Sequence, residues 1–207
     1  CACLVGSEMC IRDSTVQVGK KILQGKQTQK VLAFYKPVGV TCTERDPHAE
    51  KKIMDMIRYP ERLTYAGRLD KDSEGLILLT NDGDLINAMM RGANRHEKEY
   101  IVKTDREITP DFLEKMAKGI YLKDLDITTR ECKIEQIGKF TFRIVLTQGV
   151  NRQIRRMCEA CGYRVKALKR IRIMNILLGD LKPGKWREVT GEELEQLQRD
   201  TGMLNRN

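Results

Sequence analysis

Histidine is scarce, aromatic residues are few, and long apolar runs are absent. Two histidines, His48 and His96, in 207 residues leave little for a zinc centre, which takes four closely spaced Cys or His ligands. The one tight cysteine pair, Cys158-x-x-Cys161, has no second pair beside it, so no metal site is expected. Phe, Trp and Tyr make up 5% of the chain. That is too few for the several-ring platform on which RRM-type modules stack bases. No apolar stretch approaches about 18 residues, so no membrane-spanning helix is expected. No basic-then-apolar leader is visible at the N-terminus. Neither a P-loop nor a Rossmann fingerprint occurs. No repeat of fixed period is present.

What is present is positive charge on a chain able to fold. Hydrophobic residues make up 41% of the sequence, enough for a core. Lys and Arg number 38 against 29 Asp and Glu, a formal charge of +9. Such an excess favours a polyanionic partner, nucleic acid before membrane. The cysteines are seven, an odd number at irregular spacing. Reduced thiols in a cytoplasmic protein are therefore expected, not a disulfide framework.

Residues 1–14, CACLVGSEMCIRDS, show no helical or strand period. They read either as translated adapter sequence or as a disordered terminus. Thr15–Leu23 reads as the last strand of an upstream module, and Gly25–Gln29 as a polar linker. Beyond it, α and β elements interleave. Strands are expected at Lys30–Tyr35, Leu76–Thr80 and Lys98–Lys103, with amphipathic helices at Lys51–Arg58 and Asp84–Met90. Thr109-Pro110 opens a helix that Gly119 closes. Thr128–Ile137 and Phe140–Thr147 alternate as a hairpin across Gly138-Lys139. Asn151–Cys161 reads as a helix with Asn151 as its N-cap, followed by strands at Tyr163–Leu168 and Ile171–Leu177. Thr190-x-x-Glu193 is a capping box for a last helix. The order is mixed rather than strictly βαβα, which argues α+β with a largely antiparallel sheet.

Three constellations carry chemistry. In Ala66–Gly75 (AGRLDKDSEG), a polar loop with a central carboxylate precedes a buried strand. Residues 61–84 hold six acids and three bases, out of place on a phosphate-binding surface. The loop is either an ordinary solvated turn or a place where a carboxylate is needed for chemistry. The second constellation is the helix starting at Asn151, where Ile154, Met157, Cys158 and Cys161 share one face and Arg152, Arg155 and Arg156 the other. Residues 152–172 contain eight Lys or Arg and one acid, either a solvated face or a phosphate footprint. The third is His96-Glu97-Lys98-Glu99-Tyr100, whose Tyr is either a core residue or a stacking surface for a base.

In order and spacing, KPVGVTC, GRLDKDSEGLILLTNDGDL, HEKEY and GVNRQIRRMCEACGYRV resemble the RsuA/RluB/RluE/RluF group of pseudouridine synthases, over about residues 31–195. RIRIMNILLGDL draws the chain nearest the RluF type, which acts on 23S rRNA. The resemblance implies an α+β fold with a central mixed, mostly antiparallel sheet in two subdomains. A catalytic domain over 31–200 is implied, divided near residue 98, with 15–30 as the remnant of an S4-type RNA-binding domain. The implied reaction turns uridine into pseudouridine: uracil leaves C1′, rotates and rejoins through C5, with no cofactor; the alternatives are a non-catalytic RNA-binding or ribosome-assembly protein and a small-subunit rRNA synthase of the same group. The implied partner is 23S rRNA or a ribosomal precursor, with a tRNA anticodon uridine as a second candidate, and a monomer as the expected state. Asp70 matches the catalytic Asp, Arg155 its paired Arg, and Tyr100 the active-site Tyr that stacks on the flipped uracil. Arg68 matches the Arg that fills the space the flipped base vacates. Lys71, Asn151, Arg152, Arg156, Lys169 and Arg170 are the expected RNA contacts.

Overall fold

A computed structural model describes residues 16–18, 21–23, 28–43, 51–91 and 95–204; residues 1–14 lie outside these. Near the N-terminus, β1 (Val16–Val18) and β2 (Lys21–Leu23) pair antiparallel, two short strands where one was expected. The main sheet is built outward from β3 (Val31–Lys36), β4 (Thr64–Ala66) and β5 (Glu74–Thr80). β3 and β5 are near-continuous apolar runs, buried almost throughout, as strands covered on both faces must be. The helix expected at Lys51–Arg58 is a single 3-10 turn, Ile53–Met56. Its Ile53 and Ile57 bury beneath β3 and β5, which one turn suffices to do.

α1 (Gly83–Met90) is capped by Asp82, whose carboxylate accepts from the backbone N–H of Asp84 and Leu85. β6 (Lys98–Thr104) follows, then α2 (Pro110–Lys118). Thr109 caps α2 by accepting from Phe112 N, and Gly119 closes it at φ +91°. β7 (Tyr121–Leu122) and β8 (Ile127–Thr128) form a small ribbon. β9 (Lys133–Gly138) and β10 (Thr141–Leu146) form the expected hairpin. α3 (Gln153–Ala160) leads to β11 (Val165–Ile173), β12 (Ile176–Leu177), β13 (Trp186–Glu188) and α4 (Gly191–Asp200).

Two expected strands are thus one: β11 runs unbroken through Lys169 and Arg170, because both its neighbours pair across that stretch. Thr190 precedes α4 but makes no side-chain cap bond; Glu193 instead accepts from Arg187 at 2.6 and 2.8 Å.

The sheet order is β13-β3-β5-β11-β6-β10-β9, with β4 on β5 and β12 on β11. Every pairing is antiparallel except β5 with β11, which meet at only two positions, Lys169 with Glu74 and Arg170 with Gly75. Gly75 has φ +112°, and a Cβ there would lie 2.2 Å from Arg170 O. Only glycine permits this approach. On one side of the junction, Val102, Phe112, Phe142, Met157 and Leu168 share a core. On the other, β3 to β5 are buried on both faces, and Ile173, Ile176, Val189 and Leu197 return to join them. The chain therefore crosses the junction twice, so residues after about 171 pack with the first half.

Candidate active site

The loop before β5 is fixed from beneath. Lys36 is fully buried, and its ammonium donates to Pro37 O at 2.9 Å and Val40 O at 2.8 Å. Burial lowers its pKa. The turn it holds gives Gly39 N to Lys71 O at 2.7 Å, tying the KPVG segment to the Asp70 loop. Ser73 N closes the loop on Asp70 O at 3.1 Å. Arg170, 2% exposed, donates from Nε to Leu76 O at 2.7 Å and from Nη1 to Arg68 O at 3.4 Å. It braces both ends of the loop from β11.

Two arginines of the α3 segment reach this loop. Arg155, with 14% of its side chain exposed, donates from Nη2 to Asp72 O at 3.0 Å and Ser73 Oγ at 3.1 Å. Its Nε is buried without a hydrogen-bond partner and lies 4.0 Å from Asp70 Oδ2, an ion-pair distance too long for a hydrogen bond. Arg152 comes closer, with Nη1 3.4 Å from Asp70 Oδ2 and Nη2 3.3 Å from Asp72 Oδ2. Arg152, not Asn151, occupies the N-cap of α3, in a left-handed conformation at φ 51°, ψ 31°. Such a backbone costs about 1–2 kcal/mol for a residue with a Cβ. Its two ion pairs offset that cost.

Opposite stands Tyr100 of β6, half-buried, with no hydroxyl partner among the described residues and its ring packed between the two cores. Asp70, Arg152 and Tyr100 line both lobes of one cleft. The first lobe, open to solvent, spans about 490 Å³ and is lined by Leu69, Leu146, Val150, Ile154 and Leu168 together with Ser73, Gln148, Gln153 and Arg155. The second spans about 1060 Å³ and adds Gly67, Met90, Lys98, Asn151 and Arg170. Arg68 lies at the rim, exposed.

Three of the expected RNA contacts are otherwise engaged. Arg156 is ion-paired with Asp124 and donates to Asn151 O at 3.0 Å. Lys169 lies 5.0 Å above the Tyr35 ring. As the neighbour of Arg170 on one continuous strand, it faces away from the cleft. Arg170 is turned inward as the loop brace. Arg68, Lys71, Asn151 and Arg152 remain exposed. Sequence reasoning missed Ser73, the buried hydroxyl under Arg155, and Lys98, which period-2 alternation with Tyr100 would have placed on the cleft face. Among the described residues no group of three His, Cys, Asp or Glu could hold a metal ion, and no helix is long and apolar enough to cross a membrane.

The chain as a whole has relatives among known proteins. The chain is 44% identical, over 88% of its length, to the dual-specificity RNA pseudouridine synthase RluF of Escherichia coli K12, of which it covers 62%. An uncharacterized RNA pseudouridine synthase of Aquifex aeolicus is 36% identical, with 81% of this chain and 71% of that protein matched. The crystal structure of a pseudouridylate synthase superposes with a TM-score of 0.77 at 27% identity, covering 88% of this chain and 83% of that one. The chain thus spans about 62% of the RluF protein's length. The RNA pseudouridylate synthase model matches residues 30–160, a span that holds Asp70, Tyr100, Arg152 and Arg155, and the chain belongs to that family.

Proposed function

We propose that this chain isomerises uridine to pseudouridine in RNA, with 23S rRNA and a tRNA anticodon uridine as its substrates. The observation that carries the reading is Asp70, held beside Arg152 and Arg155 in a cleft that Tyr100, Leu146 and Leu168 also line. Uridine in structured RNA must leave the helix to reach such a cleft. The base then lies against Tyr100, Leu146 and Leu168, with C1′ at Asp70. Breaking the C1′–N1 bond leaves positive charge on the ribose, which the Asp70 carboxylate stabilises or captures. A bound base excludes water and favours the inert protonated acid. Arg155 counters that, because a guanidinium stays charged when buried. Uracil rotates, C5 bonds to C1′, and the C5 proton departs. Tyr100 is the group placed to handle that proton. The dual specificity of the RluF relative supports more than one RNA substrate.

Asp70→Asn keeps the size of the side chain and removes the charge. Turnover of tritium from 5-³H-uridine RNA is expected to vanish while RNA binding persists. Surviving activity would remove Asp70 from the mechanism. The product nucleotide keeps its mass, so release of free uracil would instead mark a hydrolase. Pseudouridine mapping of total RNA from cells with and without the gene tests the substrates.

A further inference from the structure

The two faces of the sheet beside the cleft differ in electrical balance. On the back, Arg172 donates to Glu99 Oε2 at 2.6 Å and to Glu97 Oε2 at 2.9 Å. Arg143 lies 3.5 Å from Glu99, and Lys133 3.6 Å from Glu97. Each of these cations has a carboxylate. On the cleft face, alternation along β6 sets Lys98 beside Tyr100, with Arg170 across from Tyr100 on β11. Here the cations have none. Lys98 makes no ion pair or hydrogen bond among the described residues. Arg170 donates only to carbonyls, and its Nη2 is buried without a partner. Burial first, and then the charge of Arg170, lower the pKa of Lys98. Both side chains line the second lobe. Asp70, the carboxylate among the described residues that line the cleft, is already shared by Arg152 and Arg155.

Unpaired charges away from water are costly unless an anion completes them. The first lobe sets the apolar walls Leu146, Ile154 and Leu168 beside Asp70, Gln148 and Arg155. The second holds Lys98, Arg170 and Asn151, with Arg68 at its edge.

We infer that the second lobe is a phosphate subsite, in which Lys98 Nζ, backed by Arg170, binds a phosphodiester flanking the flipped nucleotide. The bound nucleotide is thereby oriented, with base in the first lobe, ribose at Asp70 and backbone in the second. This assignment rests on the uridine reading proposed above.

The probe is a five-nucleotide RNA with one central uridine between adenosines. It is also made with a neutral methylphosphonate in place of either phosphate flanking the uridine, one at a time. Affinity is measured with this chain over a range of salt concentrations. For the wild type, neutralising one flanking phosphate is expected to weaken binding about tenfold, the scale of one charge-assisted contact. Lys98→Met should lose the same factor with unmodified RNA and nothing further with the methylphosphonate. Its log–log salt slope should fall by about 0.7. Lys98→Arg should retain both. A Lys98→Met variant that binds like the wild type overturns the subsite, as does one in which both methylphosphonates still cost their full factor. Replacing the central uridine with adenosine separates the two claims. Undiminished wild-type binding there would count against uridine recognition, whereas the salt slope of Lys98→Met still decides the phosphate contact.

Discussion

Arg155 and Arg152 approach the same carboxylate with different freedom. Arg155 is anchored at Nη2 by Asp72 O and Ser73 Oγ, leaving Nε to face Asp70. Lysine can supply the charge but not this fork. Arg155→Lys is therefore expected to lower kcat about 100-fold with little change in thermal unfolding, the scale of two charge-assisted bonds; single-turnover rates with saturating RNA would show it. Wild-type rates in that variant would count against the pairing. Away from the site, burial pushes the Cys158 thiol up to about 12, so at pH 8 it should resist iodoacetamide in the folded protein and react once unfolded, as peptide mass mapping would register. Asp70, Tyr100 and Arg155 became candidates through the resemblance of their motifs to known synthases; composition alone left a solvated turn, a core tyrosine and a basic face equally open. Arg152 was read only as an RNA contact. Its approach to Asp70 depends on a left-handed backbone at the helix start, which no local pattern announces in a residue with a Cβ. Lys98 was passed over because a lysine in a strand ordinarily faces water.

Among the elements, the two-position contact of β5 with β11 decides where the loop sits. Gly75→Ala would drive a methyl into Arg170 O and strain a backbone at φ +112°. A loss of about 3 kcal/mol or more is expected in urea unfolding, from overpacking and backbone strain together, with activity falling further than stability alone explains. The α2 cap is an ordinary case by comparison: Thr109→Ala should cost about 1 kcal/mol and leave turnover unchanged. Glu97 gives a pH signature. Its hydrogen bond from Arg172 is the main cause holding its pKa below the usual 4.5. A depressed carboxylate stabilises the fold above its unfolded pKa and loses that contribution as pH falls through the folded value. Glu97→Gln should therefore be less stable than wild type near neutrality, with the gap closing below about pH 4.5; urea midpoints across the acid range would trace it. Most strands and helices were legible from alternation and caps. The exceptions share a cause. β11 was read as two strands because charged residues interrupt its apolar pattern at Lys169 and Arg170. One of them stacks on Tyr35 and the other braces the loop, so tertiary contacts carry the strand through. Reading a break there also hid that Lys169 and Arg170 face opposite ways.

At the scale of the molecule, the α+β class followed from the order of elements, whereas the return of residues beyond about 171 to the first core did not. A chain that crosses its own junction twice leaves no trace in composition. The sheet is neutralised on its rear surface by Glu97 and Glu99 and left unbalanced in front at Lys98 and Arg170. That asymmetry sets a local excess of positive charge at the opening of the cleft. A polyanion drifting nearby experiences a torque before it touches anything, and turns the protein so that the opening meets it first. Capture by the correct side then owes less to chance rotation, and raising ionic strength should slow association more steeply than it hastens release.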